Sequence, residues 1–337
     1  MIIKNAEVLA EEFIPGRILH RNGQMQALRD NLLPLTENST ARNSFLFGPP
    51  GTGKTVLSRF AVSELRKEAP VLYSYANCWS YSSRYNIIYK ILEDFGERLK
   101  IHRSGTPTDE LLGLLKKKAA GRPAVVILDE ADQMADDKVF YDLASVPNIC
   151  MVFIANSEGI FSGLDERVRS RLASTERIEF PRYRTQEIFE ILQDRAEYAL
   201  MVNTIGKSQL IKIAEFSGGD ARMGINMLKT VAEEAEHNDL EKITDELIEK
   251  SLEKSIVSAK KTEKIQQLNE YQKIIIEIIK SKKQIPAGEL FSEFQKEIIS
   301  KNLEPTAERT FRKYMEVLGR LKLVNASGEG RWRMYSA

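Results

Sequence analysis

The stretch that most constrains this chain is FLFGPPGTGKTVLSRF, which runs from Phe45 to Phe60. Its first residues are apolar, as at the end of a buried strand, and its last residues follow an apolar helical pattern. Between them lies a segment that fits the pattern GxxxxGK[ST]. A tight turn between a strand and a helix is the simpler alternative, but the complete motif with both flanks favours a loop that binds phosphate groups.

The residue types of this loop suit a polyphosphate. Glycines let backbone N–H groups surround the phosphates, and the start of the following helix adds the positive end of its dipole. Lys54 supplies a positive charge and Thr55 a hydroxyl ligand for Mg²⁺. The loop residues predicted to bind the nucleotide are Gly48, Pro49, Pro50, Gly51, Thr52, Gly53, Lys54, Thr55 and Val56.

A second motif ends in two carboxylates. The run AVVILDE, from Ala124 to Glu130, is typical of a fully buried strand that delivers Asp129 to the edge of a sheet. There Asp129 can hold Mg²⁺, while Glu130 can orient or deprotonate a water that attacks a phosphate. Acidic residues often end strands without such a role, but together with the phosphate loop they indicate nucleotide hydrolysis.

A third candidate side chain follows the strand ICMVFIA, from Ile149 to Ala155. Strand ends at the carboxyl edge of a parallel sheet carry the chemistry in this class of fold. Asn156 is therefore a candidate to contact the terminal phosphate or the attacking water. An asparagine that only caps the loop remains the alternative.

The spacing of apolar runs predicts an α/β fold and a base domain over residues 1–181. Short apolar strands alternate with helical stretches, so a parallel sheet covered by helices is expected. The predicted strands lie at residues 45–47, 71–78, 124–129, 149–155 and 177–180. Their carboxyl ends would bring the motifs above together at one edge of the sheet.

Two further domains follow. Residues 182–256 show helical periodicity without a strand signal and predict an all-helical lid. Polar residues 258–263 predict a linker. Over residues 262–337, helices followed by two short strands predict a winged helix-turn-helix, a module that binds DNA or docks on proteins.

The composition, 42% apolar and 29% charged, is ordinary for a globular chain of 337 residues. No run approaches the roughly 20 apolar residues that a membrane span needs, and residues 1–10 lack the layout of a secretory signal. We therefore expect a cytoplasmic protein without a membrane partner.

Cys78 and Cys150 lack CxxC or histidine-rich neighbours, so both are expected to be core thiols, with no disulfide and no structural metal.

Charge is distributed unevenly along the chain. The whole protein carries a net charge of +1, but residues 257–337 contain 16 Lys or Arg and 10 Asp or Glu. This surplus favours a polyanionic partner, although a solvated polar face is the alternative. The candidate DNA contacts of this region are Arg309, Arg312, Lys313, Arg331 and Arg333.

Taken together, these motifs resemble the AAA+ ATPases, and more narrowly the archaeal origin-recognition and cell-division-control initiator family. The resemblance covers nearly the whole chain. It is carried by the segments FIPGRILHR, GPPGTGKT, VVILDEAD, FIANS, ERVRSRL, FPRY and GGDAR and by the C-terminal winged-helix pattern. The phosphate-loop motifs alone are shared by many unrelated ATPases, so the order of all the segments is the more specific signal.

The resemblance implies ATP and Mg²⁺ as cofactors and a role for several more residues. Asn156 would be a first sensor, and Arg222 a second sensor that reaches from the lid to the terminal phosphate. Arg171 would be an arginine finger offered to a neighbouring subunit. The residues implied beside the adenine or closing the pocket are Ile14, Pro15, Arg17, Tyr183 and Arg195.

The resemblance also implies a helical insertion that contacts DNA between residues 77 and 118, with Arg84 among its candidate contacts; a charged solvated helix is equally compatible. The implied function is an ATP-switched replication initiator with slow hydrolysis. It would bind duplex DNA at an origin, help to load the replicative helicase, and associate with itself or with related AAA+ subunits. A clamp-loader-like remodeller and an ATP-sensing transcription regulator are the competing hypotheses.

Overall fold

The structure of the chain, a computed structural model, divides into two compact units, Met1–Ile248 and Glu249–Ala337. For residues 161 and 162 the structure describes only the backbone. The described residues are 1–37, 39–97, 106–134, 136–254, 268–301, 303, 305–321, 323–327 and 334–336. No helix among them is long and apolar enough to cross a membrane.

The first unit is built on a parallel sheet of five strands in the order β2-β3-β4-β1-β5. Each strand lies within two residues of a predicted run, and β1, β3 and β4 have the near-continuous apolar sequence that buried parallel strands need, whereas the edge strand β5 buries only Ile178. The strands are β1 Ser44–Phe47, β2 Leu72–Asn77, β3 Ala124–Asp129, β4 Ile149–Ala155 and β5 Glu176–Glu179. The predicted α/β sheet is therefore confirmed.

Helices cover both faces of this sheet and enclose two apolar cores. One core includes Phe45 and Phe153, and the other includes Leu57 and Ile127, all of them at most 1% exposed. The helices of this part are α1 Asn22–Leu32, α2 Lys54–Glu68, α3 Arg84–Asp94, α4 Thr108–Ala119, α5 Lys138–Ala144, α6 Ile160–Gly163 and α7 Glu166–Arg171. Residues 98–105, between α3 and α4, lie outside the described residues.

The predicted lid is helical. It contains α8 Thr185–Ala199, α9 Lys207–Phe216 and α10 Ala221–His237, and residues 245–254 are helical as α11. The N-terminal segment packs against this lid. Ile2 is fully buried, and the amides of Ile2 and Ile3 both donate to Glu236 Oε1, at 2.7 and 3.1 Å.

The second unit contains α12 Glu270–Lys282, α13 Ala287–Ser300 and α14 Glu308–Arg320. Three short antiparallel strands, β6 Ile285–Pro286, β7 Asn325–Ser327 and β8 Met334–Ser336, pair in the order β6-β8-β7. The first of the two predicted strands, β7, begins only at Asn325, because the amide of Leu323 still donates to the Leu318 carbonyl at the end of α14. Ile275, Phe294 and Leu318 form part of a buried apolar core.

Both cysteines are buried free thiols, as predicted. Burial raises the pKa of Cys78 and that of Cys150 to about 12, with the Asp129 charge a lesser cause at Cys78. Unfolded thiols ionise near pH 9, so the free energy of unfolding should fall as pH rises from 9 toward 12.

A thiol reagent at pH 8 should accordingly leave both cysteines of the native protein unlabelled and should label both once urea unfolds the chain. Mass spectrometry of the intact protein counts the labels. Rapid labelling of either cysteine before unfolding would contradict its placement in the core.

Candidate nucleotide-binding site

The loop between β1 and α2 depends on glycines at three positions. Gly48, Gly51 and Gly53 have φ of 143°, 70° and 89°, conformations that other residues rarely adopt. A Cβ on Gly48 would lie 2.2 Å from the carbonyl oxygen of Phe180, and one on Gly51 would lie 1.8 Å from Asp220 Oδ1. The loop backbone therefore lies against the segment that leads into the lid and against the start of α10.

Lys54 lies inside this loop and is 7% exposed. Its Nζ donates to the carbonyl oxygens of Gly48 and Pro49, at 2.5 and 2.8 Å. Burial lowers the pKa of Lys54 to about 8, although the Asp129 charge opposes this. Phosphate oxygens bound at this position would place negative charge beside the buried ammonium group and favour its protonated form.

Asp129 lies at the end of β3, where its carboxylate accepts three hydrogen bonds. Thr55 Oγ1 and the Tyr75 hydroxyl both donate to Oδ2 at 2.8 Å, and the amide of Glu130 donates to Oδ1 at 2.9 Å. Burial raises the pKa of Tyr75, so its hydroxyl stays protonated and can donate. Thr55 and Asp129, the two residues predicted to hold Mg²⁺, are thus joined by a hydrogen bond.

The oxygen atoms of Thr55 and Asp129 suit a Mg²⁺ ion whose remaining ligands would come from a nucleotide and water. A hydroxyl and a carboxylate are hard oxygen ligands, and Mg²⁺ commonly takes one or two protein ligands together with phosphate oxygens and water. Within the described ranges, no group of three or more His, Cys, Asp or Glu side chains could hold a metal ion. Thr55 and Asp129 would therefore be the protein's contribution to the ion.

Glu130 and Asn156 stand at neighbouring strand ends. Glu130 follows β3 with a φ of 53°, the left-handed region, and its side chain is half-buried. Asn156 follows β4, the strand beside β3, and is exposed. Because both strands end at the same edge of the sheet, the two side chains face one cavity.

That cavity has a volume of about 500 Å³ and is lined by both the base and the lid. Of the residues predicted to bind the nucleotide, Ile14, Gly48 and Pro49 do not line this cavity. The carbonyl oxygens of Gly48 and Pro49 instead accept hydrogen bonds from Lys54. The predicted residues that line it are Pro15, Arg17, Pro50, Gly51, Thr52, Gly53, Lys54, Thr55, Val56, Asp129, Glu130, Asn156, Tyr183, Arg195 and Arg222.

Three of the lining arginines have partners within the chain. Arg17 pairs with Asp194 at 2.5 Å, and Arg222 pairs with Glu11 at 2.7 Å. Arg195, 7% exposed, donates from Nη1 to the carbonyl oxygen of Val8 at 2.9 Å. Arg17 and Arg195 thus join the N-terminal segment to the lid, while Arg222 is about half exposed at the cavity.

The sequence matches known proteins along nearly its whole length. A family model described as an AAA domain matches residues 36–164, and one described as the Cdc6 AAA+ ATPase-type lid domain matches residues 189–253. ORC1-type DNA replication protein 9 of Halobacterium salinarum is 34% identical over 337 residues, covering 99% of this chain and 94% of that relative. The chain belongs to the ORC1/Cdc6 family of AAA+ proteins.

Other comparisons agree with this ORC1/Cdc6 assignment. ORC1-type DNA replication protein 1 of the same organism is 38% identical over 295 residues, or 87% of this chain and 95% of that relative. The structure of the Aeropyrum pernix ORC1 protein in complex with DNA matches with a TM-score of 0.73 at 23% identity, over 99% of this chain and 93% of that one. At this identity the structural match shows a shared fold.

Sequence analysis did not identify Arg21 as a residue of this ORC1/Cdc6 site. Arg21 is 4% exposed, and it donates from Nε to the Thr52 carbonyl at 3.1 Å and from Nη2 to the Pro181 carbonyl at 2.6 Å. Its guanidinium lies 3.8 Å from the ring centroid of Tyr183. Arg21 therefore joins the phosphate loop to the segment that enters the lid, and its position in FIPGRILHR was the available signal.

Two predicted contacts with other molecules have partners inside this ORC1/Cdc6 chain. Arg84 is half-buried and pairs with Asp109 at 3.0 Å and with Asp142. Arg171 is exposed at the end of α7; its Nη2 donates to the Tyr141 hydroxyl at 3.1 Å, and its guanidinium lies over the Tyr141 ring. Arg331 and Arg333 lie outside the described residues.

Proposed function

We propose that this protein is an ATP-switched replication initiator that binds duplex DNA. The observation that carries the proposal is the cavity in which the phosphate loop, the Asp129–Glu130 pair and Arg222 of the lid meet. The curated relatives named above are DNA replication proteins, and the match covers nearly the whole chain, which supports the initiator role.

In this proposal four side chains of the cavity bind ATP and catalyse its hydrolysis: Lys54, Thr55, Asp129 and Glu130. Lys54 would bind the terminal phosphates of ATP, and Thr55 and Asp129 would hold a Mg²⁺ ion, which would neutralise charge on the phosphates. Glu130 orients a water molecule and accepts its proton. Hydrolysis is slow and serves to reset the switch.

The sensor residues would report which nucleotide is bound. Asn156 stands at the strand end beside that of Glu130, and Arg222 lies in the first turn of α10 on the lid side of the same cavity. Contact of Arg222 with a terminal phosphate would replace its ion pair with Glu11, which is an exposed pair and therefore weak. Arg171 would act on the nucleotide of a neighbouring AAA+ subunit, and its exposed position on α7 is compatible with that role.

We infer that the second unit is a winged helix that binds the DNA backbone through α14. Phe311, Met315 and Leu318 of this helix are buried, which leaves its opposite face in solvent. Arg309, Arg312 and Lys313 are exposed on that helix at spacings of i, i+3 and i+4. Arg312 pairs with Glu308 at 2.6 Å, an exposed pair that a phosphate can displace.

Neutralising Arg309 and Arg312 to glutamine in the full chain should weaken binding to every duplex. Each lost phosphate contact lowers the slope of log K against log salt concentration by about 0.9, so the double variant should lose roughly 2. Fluorescence anisotropy with labelled duplexes over a salt series measures this slope.

The matched control is Lys273→Gln, which removes an exposed charge from α12 of the same unit. It should leave the slope close to that of the unmodified protein. An unchanged slope in Arg309→Gln/Arg312→Gln would reject α14 as the DNA-binding helix, and a protein-docking role for this unit would replace it. In the initiator proposal, the ATP-bound protein at an origin then recruits the replicative helicase.

A further inference from the structure

The carboxylate of Asp129 has a hydrogen-bond partner that the phosphate-loop motifs do not include. Tyr75 lies on β2, and its hydroxyl donates to Asp129 Oδ2 at 2.8 Å, the oxygen that also accepts the Thr55 hydroxyl. Tyr75 lines the nucleotide cavity together with both of these residues. The proposed site therefore contains a phenol within hydrogen-bond distance of the expected metal ligand.

The register of β2 and β3 explains how the Tyr75 hydroxyl reaches Asp129. Tyr75 is opposite Ile127 in the β2–β3 register, two residues before Asp129, so Ile127 and Asp129 project from the same face of β3. Ile127 belongs to the core on the α2 side of the sheet, Tyr75 packs against that core, and α2 carries Thr55. The Tyr75 ring must therefore reach along the sheet toward the strand ends to place its hydroxyl on Asp129.

The ring itself is held in place. Tyr75 is half-buried, and the guanidinium of Arg59, one turn beyond Thr55 on α2, lies 5.4 Å from its ring centroid. Cation–π contacts of this kind restrict an aromatic ring and stabilise its orientation. A restrained ring loses little further freedom when its hydroxyl binds the carboxylate.

We propose that Tyr75 is a positioning residue for the magnesium ion, because its hydroxyl fixes the Asp129 carboxylate in the orientation that faces Thr55. The inference rests on the proposed function, in which Thr55 and Asp129 hold Mg²⁺. Two of the three donors to Asp129, the Tyr75 hydroxyl and the Glu130 amide, come from the sheet and its edge. These two donors would still hold the carboxylate if the Thr55 hydroxyl were engaged by the ion.

Partners that orient a metal ligand typically change metal affinity by about 10–100-fold when they are removed. The variant Tyr75→Phe keeps the ring and its contact with Arg59 and removes the hydroxyl. In the full chain, the Mg²⁺ concentration at half-saturation should therefore rise by about 10–100-fold. The affinity for nucleotide in EDTA should not change, because Tyr75 acts through Asp129.

Binding of a fluorescent ATP analogue, titrated with Mg²⁺ from an EDTA-buffered start, measures both quantities. Tyr73→Phe is the matched control. Tyr73 lies two residues earlier on the same face of β2, opposite Val125, and Arg66 lies over its ring at 5.6 Å. No hydrogen bond joins Tyr73 to Asp129 in the part of the chain that the structure describes, so its loss should leave the Mg²⁺ dependence unchanged.

Equal half-saturating Mg²⁺ in Tyr75→Phe, Tyr73→Phe and the unmodified protein would overturn the role of Tyr75 and leave the proposed function standing. An equal shift in both variants would also overturn it, because the effect would then come from the strand and not from this hydroxyl. If the unmodified protein binds the analogue without any dependence on Mg²⁺, the magnesium site itself is rejected, and the role of Tyr75 with it.

Discussion

Replacing Lys54 by alanine is expected to weaken ATP binding by at least about 100-fold, since a hydrogen bond from a charged group contributes roughly 1.5–3 kcal/mol and Lys54 would make more than one to the phosphates. Lys54 is the cation buried inside the phosphate loop, and its ammonium group already has its pKa lowered by burial. Isothermal titration calorimetry with ATP and with ADP measures the loss.

The structure supplies a control on the same helix. Lys67 of α2 is largely exposed and pairs with Glu64, so Lys67→Ala should bind ATP like the unmodified protein. The thermal unfolding midpoint of each variant without nucleotide separates a loss of binding from a loss of fold. ATP affinity in Lys54→Ala within a few-fold of the unmodified value would contradict the nucleotide site.

The second large effect is expected at Glu130. Glutamine has nearly the same shape and cannot accept the proton of the attacking water, so Glu130→Gln should lower the rate of hydrolysis by about 10²–10⁴-fold. ATP binding should be retained, because the Thr55–Asp129 hydrogen bond and the position of Lys54 do not depend on this side chain. Phosphate release under single-turnover conditions, with binding measured in parallel, distinguishes the two effects.

Asp132→Asn provides the comparison for Glu130→Gln. Asp132 lies two residues further along, in the short helical turn Ala131–Gln133, and is exposed, so its neutralisation removes a nearby charge without removing the proposed base. Its hydrolysis rate should stay close to that of the unmodified protein. Hydrolysis by Glu130→Gln at the unmodified rate would show that Glu130 is not the catalytic residue.

Sequence patterns predicted the parts of this molecule that depend on local chemistry. Strands β1, β3 and β4 could be found because buried parallel strands are apolar along most of their length, whereas the edge strand β5 buries only Ile178 of its four residues. Thr55 and Asp129 could be named as candidate Mg²⁺ ligands, and expected near each other, because each belongs to a motif whose strand ends at the same edge of the sheet. Neither inference required knowledge of distant contacts.

The residues that sequence analysis missed depend on distant contacts. Arg21 binds carbonyl groups of Thr52 and Pro181, residues far from it in the sequence, and nothing in its own segment reveals that these carbonyls converge. Tyr75 is one of two tyrosines in the segment VLYSYANC, and the β2–β3 register decides which of them reaches Asp129. Arg84 was a candidate DNA contact with a charged solvated helix as the alternative, and its pairing with Asp109 and Asp142 could not be found from its own segment because those residues lie on α4 and α5.

The central claim, a DNA-binding switch set by the nucleotide, is tested most directly by footprinting the purified full chain on genomic DNA with ATP, with ADP and without nucleotide. The proposal predicts discrete protected sites with ATP and a changed or lost protection with ADP. It also predicts that Lys54→Ala with ATP gives the pattern of the nucleotide-free protein. Identical protection under all three conditions, or no protected site under any of them, would contradict it.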